Sequence, residues 1–560
     1  MKKRIIAAFL CLTMIFSTVG CQKEMQASPA EGTPLAEEEK TASKTAAEEK
    51  AAVPEPVSME DNYRTYYEVF VYSFYDGNGD GIGDLQGLTQ KLDYINDGNP
   101  ETDGDLGCNG IWLMPVMPSP SYHKYDVTDY YGIDAQYGTM EDFEAFITAC
   151  NERGIKVILD LVINHSSSLH PWFQEACSYL AELGDGEPSA EECPYVDYYH
   201  FSKENQSGYC QVPGSDVWYY EAQFYYGMPD LNLSNEKLRE EIEHIADFWL
   251  EKGVGGFRLD AAKEYVSGGK DANIEILQWF CQMVKEKKED AYLVAEVWTD
   301  INTYAEYYDS GIDSVFNFSF ADSSGIIANV IKGSSPASNY TEALVSAQEL
   351  FAAHNPDYID APFYTNHDMG RSAGYYAGEQ SEAQTKMAGA LNLFMSGSAF
   401  IYYGEELGMK GAGKDENKRA PMYFSSEKNE EGMCKGPADM DDVKMKYASL
   451  AEQETDPYSI YQYYKRAIYL RNLYPAIRKG SVENLAEYSS DSVAAFRKSW
   501  EEEKLMIFCN VSEKEAALDL SQMENVPKKI ENALYTGEEQ AVYEEGRLTI
   551  PAYGIVLMSQ

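Results

Sequence analysis

The sequence predicts an α/β protein: an eight-stranded (β/α)8 TIM barrel with a small domain inserted after strand 3 and a C-terminal β-sandwich. Three observations predict it. Eight short apolar runs alternate with amphipathic stretches, at 68–74, 110–116, 156–163, 256–261, 292–297, 314–320, 361–365 and 399–403. One connection, after the third run, is far longer than the others. Beyond residue 478 the helical period gives way to strand-like alternation.

The eight runs are β-branched or aromatic-rich and apolar on both faces, as strands of a buried parallel sheet must be. Helical patterns lie between them, among them 140–153, 237–252 and 272–288. Eight strands alternating with helices close a barrel, here assigned to 61–165 and 233–478. Residues 166–232 are crowded with Tyr, Gly and Pro. A structureless loop of that length is implausible, so the segment reads as an inserted domain. The stretches 493–500, 505–511 and 548–558 alternate or run apolar between turn residues, which makes 479–560 the sandwich.

The N-terminus reads as an address. Lys2, Lys3 and Arg4 precede an apolar run over 5–16, followed by small residues up to Gly20. That is an export signal over 1–20, too short to span a membrane. Cys21 directly after Gly20 resembles a bacterial lipobox, which makes Cys21 the lipidation site; ordinary signal cleavage nearby is the other reading. Residues 21–60 are rich in Ala, Glu, Lys, Ser and Pro, too poor in large apolar groups to fold, and read as a solvated tether. The expectation is a monomer at the extracellular face of the cell envelope, touching membrane only through its lipid anchor.

The 560 residues carry 45 Lys plus Arg against 92 Asp plus Glu, a formal charge of −47. Such a field repels nucleic acid and anionic lipid, and points to a neutral or cationic substrate. The 44 tyrosines suit either stacking on flat ligands or ordinary packing. The cysteines match no zinc spacing; Cys177, Cys193 and Cys210 fall close enough in sequence to include a bridge.

In a barrel, chemistry gathers where strands end. The third run ends with Asn164-His165, the fourth contains Arg258 and Asp260, the fifth contains Glu296, and the seventh leads into His367-Asp368. One acid at a strand end often caps a helix. Three on one rim repel each other, and function must repay that cost. Glycoside cleavage does: one carboxylate attacks the anomeric carbon while another, kept protonated, donates to the leaving oxygen. Separately, Asp76, Asn78, Asp80, Ile82 and Asp84 place oxygen donors at every second position among glycines. That is hard-cation chemistry, with Ile82 offering its carbonyl.

These blocks, in this order, resemble the four short motifs of the alpha-amylase superfamily, glycoside hydrolase family 13, over residues 63–560. The resemblance implies that Asp260 is the nucleophile, Glu296 the general acid and base, and Asp368 the residue gripping the distorted sugar. It assigns His123, Tyr125, His165, Arg258, Lys263, His367 and Arg371 to the substrate. It also implies a structural calcium at the loop of residues 76–84, with Asn164 a ligand of a second ion. Met228-Pro-Asp230-Leu-Asn232 resembles a fifth motif, in a form carried by lipid-anchored bacterial alpha-amylases. The expected reaction is retaining, endo-acting hydrolysis of alpha-1,4 bonds in starch. An exo-acting alpha-glucosidase, a neopullulanase-like or transglycosylating enzyme, and a non-catalytic starch-binding lipoprotein are the alternatives. Glu264, where many members have histidine, and Ala295, where glycine is usual, depart from the pattern.

Overall fold

A computed structural model describes residues 52–559. The expected export signal, Cys21 and most of the expected tether lie outside the described residues.

Seven parallel strands form one curled sheet: β1 (Thr65–Val69), β2 (Gly110–Leu113), β3 (Lys156–Leu161), β4 (Gly256–Leu259), β5 (Tyr292–Ala295), β6 (Ser314–Val315) and β7 (Ala399–Tyr402). Every residue in them is buried, the signature of a sheet covered on both faces. The order is β7-β1-β2-β3-β4-β5-β6. Segment 361–363 fills the gap as the eighth stave, through parallel bridges Phe316–Ala361 and Phe363–Phe400. It makes no continuous ladder because Pro362 has no N–H to give; its carbonyl accepts from Phe400 instead. The first strand begins earlier than the apolar run suggested. Tyr66 and Tyr67 serve as core residues there, and the chain turns into a 3-10 helix at Val71–Ser73.

Alternation of side chains divides the core in two. Tyr66, Trp112, Ile158, Tyr292, Phe316, Phe363 and Phe400 point into the barrel and pack on one another. Tyr66 stacks on both Tyr292 and Phe400, at 5.2 and 5.0 Å between centroids. The opposite parity packs outward against helices, among them Met140–Glu152, Glu236–Glu251 and Lys270–Lys287. The first two start where a side chain caps them: Thr139 in a reciprocal box with Asp142, and Asn235 accepting from Leu238 N.

Between β3 and the helix at Glu236 lies the inserted segment. It carries a helix at Pro171–Leu183 and a three-stranded antiparallel sheet of Phe201–Ser202, Tyr219–Glu221 and Tyr209–Gln211. After the barrel, a five-stranded sheet (Ser481–Asn484, Val493–Trp500, Glu503–Asn510, Ile555–Ser559, Asn532–Leu534) faces a three-stranded one (Ala516–Asp519, Arg547–Ile550, Val542–Glu544). Met506, Phe508, Val556 and Met558 join Leu548 and Ile550 between the sheets. Leu505, Ile507, Cys509 and Phe496 face the barrel core. The larger sheet is thus buried on both sides.

Residues 52–60, expected to belong to the free tether, are fastened to the barrel. Arg64, fully buried, donates to the carbonyls of Ser58, Asp61, Asn109 and Gly154. Asp61 in turn pairs with Arg478 and Lys479 at 2.9 and 2.7 Å. These contacts lie where β2 and β3 begin, at the end of the barrel opposite the strand termini discussed below. The bridge considered among Cys177, Cys193 and Cys210 does not form; the cysteines among the described residues are free, and all but Cys210 are buried. Among the described residues, no helix is long and apolar enough to cross a membrane.

Candidate active site

At the C-terminal ends of the strands lies a cavity of about 460 Å³. Asp260, Glu296, Asp368, His123, Tyr125, His165 and Lys263 line it, together with Phe224, Met228, Glu264, Trp298, Asp415 and Arg419. The three acids come from the ends of β4, β5 and the eighth stave, so strand geometry brings together residues far apart in sequence.

Arg258, in β4 and 1% exposed, organises the floor. Its Nη1 donates to Asp260 Oδ1 at 2.6 Å and to Asp160 Oδ1 at 2.8 Å; its Nη2 donates to Glu296 Oε2 at 2.7 Å. One planar guanidinium thus holds two cavity carboxylates in fixed directions. Ala261 adds a second donor to Glu296, from its amide to Oε2 at 3.1 Å. To do so it adopts a left-handed φ of 47°, a strained backbone of the sort that persists at functional sites.

Electrostatics separate the acids. Burial pushes the Glu296 carboxyl above its ordinary pKa; Arg258 opposes this, while Asp260 and Asp368 add to it. Burial likewise raises Asp260, with Arg258 as the chief opposing charge. Asp368 goes the other way. Burial would raise it, but His367 at 3.0 Å and Arg419 at 2.9 Å hold it far below the usual carboxylate range. A proton donor and the ionised Asp368 can therefore share one cavity.

The rim supplies neutral donors and rings. Burial lowers His123 and His165 to about 4, so both are uncharged at neutral pH. The His165 ring lines the cavity, and its Nε2 is buried. The turn presenting His123 and Tyr125 is pinned by Lys124, which takes φ 68° and buries its ammonium on Asp134 at 2.9 Å. Tyr125 donates its hydroxyl to Asp160 at 2.9 Å and stacks on His367. Trp298 and Phe224 are large exposed rings at the cavity wall, Trp298 stacked on Phe318.

Besides Arg258, which lies beneath the floor, two residues read from sequence as touching substrate stand behind the wall. His367 is buried between Glu68 and Tyr125. Arg371 is buried with its guanidinium on Tyr402 and Tyr403, donating to the carbonyls of Tyr403 and Lys418. It shapes the loop that delivers Arg419. Lys263 is at the wall, paired with Glu264 and bonded to the carbonyl of Trp298. Arg419, Phe224 and Asp415 are cavity residues that sequence reasoning missed, because no period or motif marks the segments bearing them; Trp298, also at the wall, lies two residues past Glu296 in a block recognised for its acid alone.

The acidic loop after β1 is rolled around its own side chains. Gly79 and Gly81 amides donate to Asp76, Asp80 N to Asn78, Ile82 N to Asp80, and Gly77, Asn78 and Gly87 amides to Asp84. The donor set, four oxygen-bearing side chains and the Ile82 carbonyl, suits a hard cation. Among the described residues no three acids, histidines or cysteines gather into a metal cluster. Asn164 Oδ1 and Asp230 Oδ1, at the root of the inserted domain, are buried and unpartnered.

Comparison with known proteins agrees with this geometry. A family model for the alpha-amylase catalytic domain matches residues 68–480. The chain is 38% identical over 514 residues to "Alpha-amylase 3" of Dictyoglomus thermophilum, covering 88% of this chain and 92% of that one. It is 32% identical over 360 residues to a 4-alpha-glucanotransferase of Thermotoga neapolitana, covering 63% and 73%. Among solved structures, Eubacterium rectale Amy13B superposes with a TM-score of 0.87 at 49% identity, covering 90% of this chain and 97% of that one. The chain belongs to the alpha-amylase family of glycoside hydrolases.

Proposed function

We propose that this enzyme is an endo-acting alpha-amylase that cleaves alpha-1,4 bonds in starch with retention of configuration. The observation that carries the reading is the shared hold of Arg258 on Asp260 and Glu296, which keeps nucleophile and acid close together as retention requires. Glu296 gives its proton to the leaving glycosidic oxygen as an Asp260 oxygen bonds to the anomeric carbon. Glu296, now ionised, takes a proton from water, and that water releases the glucosyl group from Asp260. Asp368, held ionised, grips ring hydroxyls and favours the positive charge that develops on the sugar. Neutral His123 and His165 bond hydroxyls, and Tyr125 stacks on the ring.

Polymer as substrate is supported by the cavity's aromatic walls, Phe224 on the inserted segment and Trp298 on the barrel, which offer stacking faces beyond a single glucose. An export signal and tether suit a substrate too large to import. The loop from Asp76 to Asp84 would hold a structural calcium, and Cys21 a lipid anchor at the outer face of the envelope. Glucan transfer is the second reading, favoured by Glu264 at the cavity wall and by the likeness to a glucanotransferase. Chromatography of early products from amylose decides: mixed maltooligosaccharides support endo hydrolysis, glucose alone means exo action, and products longer than a defined oligosaccharide substrate mean transfer.

A further inference from the structure

Glu68 lies in β1, 1% exposed, and plays no part in the chemistry above. Its Oε1 accepts from His367 Nδ1 at 2.6 Å. On the other edge of that ring, Nε2 is 2.7 Å from the Tyr125 hydroxyl and 3.0 Å from Asp368 Oδ2. The Tyr125 hydroxyl gives its own proton to Asp160, so it accepts from His367. Both nitrogens therefore face acceptors, and the ring satisfies them only when each carries a proton. Stacking on Tyr125 (5.5 Å, 19°) and the edge of Trp112 at 5.7 Å leave it no other orientation.

We propose that Glu68 is a positioning residue for the glycosidase reaction: it fixes His367 as a donor at both nitrogens, and through His367 aligns Tyr125 and Asp368 on the sugar ring. The charge balance supports it. Burial would discharge the imidazole, but Asp368 and Glu68 outweigh burial and hold its pKa at about 10. Burial raises Glu68 itself, against His367 and Arg258. The other groups facing the pair are Asp160 from β3, Asp260 after β4 and Tyr402 from β7. Without the Glu68 charge, His367 tends to lose a proton. The proton given up would be the one on Nδ1, and the neutral ring left behind, no longer anchored by a charged acceptor, would hold the Asp368 carboxylate and the Tyr125 hydroxyl less firmly through its Nε2–H.

The test combines spectroscopy with kinetics on the full chain. With 15N-labelled histidine, the His367 signal is assigned by its loss in His367→Asn, one of seven histidines. At pH 8 the wild type should show both His367 nitrogens protonated; in Glu68→Gln the ring should titrate at least about one unit lower, as loss of an opposite charge requires. On a 4-nitrophenyl maltooligosaccharide, kcat should fall about 10- to 100-fold, the usual cost of losing an orienting partner. KM should change little, and Glu68→Asp should recover part of the rate. A neutral His367 in the wild type at pH 8 overturns the proposal, whatever the substrate turns out to be. So does Glu68→Gln with unchanged kcat and an unchanged His367 titration. If Glu68→Gln fails to fold, Glu68→Asp replaces it: lost kcat at an unchanged Tm supports the proposal, and unchanged kcat sinks it.

Discussion

Arg258 Nη2 donates to Glu296 Oε2 across 2.7 Å, from the interior of one barrel strand to the end of the next. The same guanidinium reaches Asp260, so one side chain sets the relative position of the proposed nucleophile and acid. Arg258→Lys keeps the charge and loses the fork. We expect kcat to fall at least about 100-fold, equivalent to about 2.7 kcal/mol, with KM far less affected. Steady-state kinetics alongside a thermal melt separate this from misfolding.

Burial among like charges raises the Glu296 pKa, which suits the proton-holding role proposed for it. Activity falls as pH rises through that value, giving the alkaline limb of the profile. Glu296→Gln should lose about 10²- to 10⁴-fold on starch. It should lose much less on alpha-maltosyl fluoride, whose leaving group needs no proton, and the alkaline limb should vanish.

Glu405 is buried after β7, accepting from Thr365 and Tyr464, and burial raises its pKa to about 7. A carboxyl raised in the folded state favours folding fully below its unfolded pKa near 4.3 and loses that contribution as pH climbs through about 7. The loss is of order 3 kcal/mol. Melts at pH 5 and pH 8 should show a smaller drop in Tm for Glu405→Gln than for the wild type.

If calcium fills the loop after β1, it stabilises the fold by mass action, by about 2.7 kcal/mol at a hundredfold excess over Kd. Chelation with EGTA should lower the Tm, calcium should restore it, and Asp80→Ala should abolish the response. A melt indifferent to EGTA removes calcium from the account.

The three cavity acids were legible because each ends an apolar run, where a charge is out of place unless it faces a mouth. Glu68 sent the same signal at the head of the first run, yet its partner, His367, lies on the opposite side of the sequence and only barrel closure joins them. Arg371 shows the opposite error: three residues from Asp368 in sequence, it turns away because Tyr402 and Tyr403 provide a cation-binding face behind the wall. The eighth stave was found by its apolar character, whereas its broken ladder follows from Pro362. Asp415 opens, and Arg419 ends, a single helical turn over Asp415–Lys418, too short for any apolar period to mark it in the sequence.

The most direct test of the central claim is to trap the covalent intermediate. Incubation with 5-fluoro-alpha-glucosyl fluoride, followed by peptide mass spectrometry, should place one fluoroglucosyl group on the peptide carrying Asp260, with the label absent in Asp260→Asn. Label on another carboxylate, or no label together with an inverted anomer in the initial product, would contradict the account.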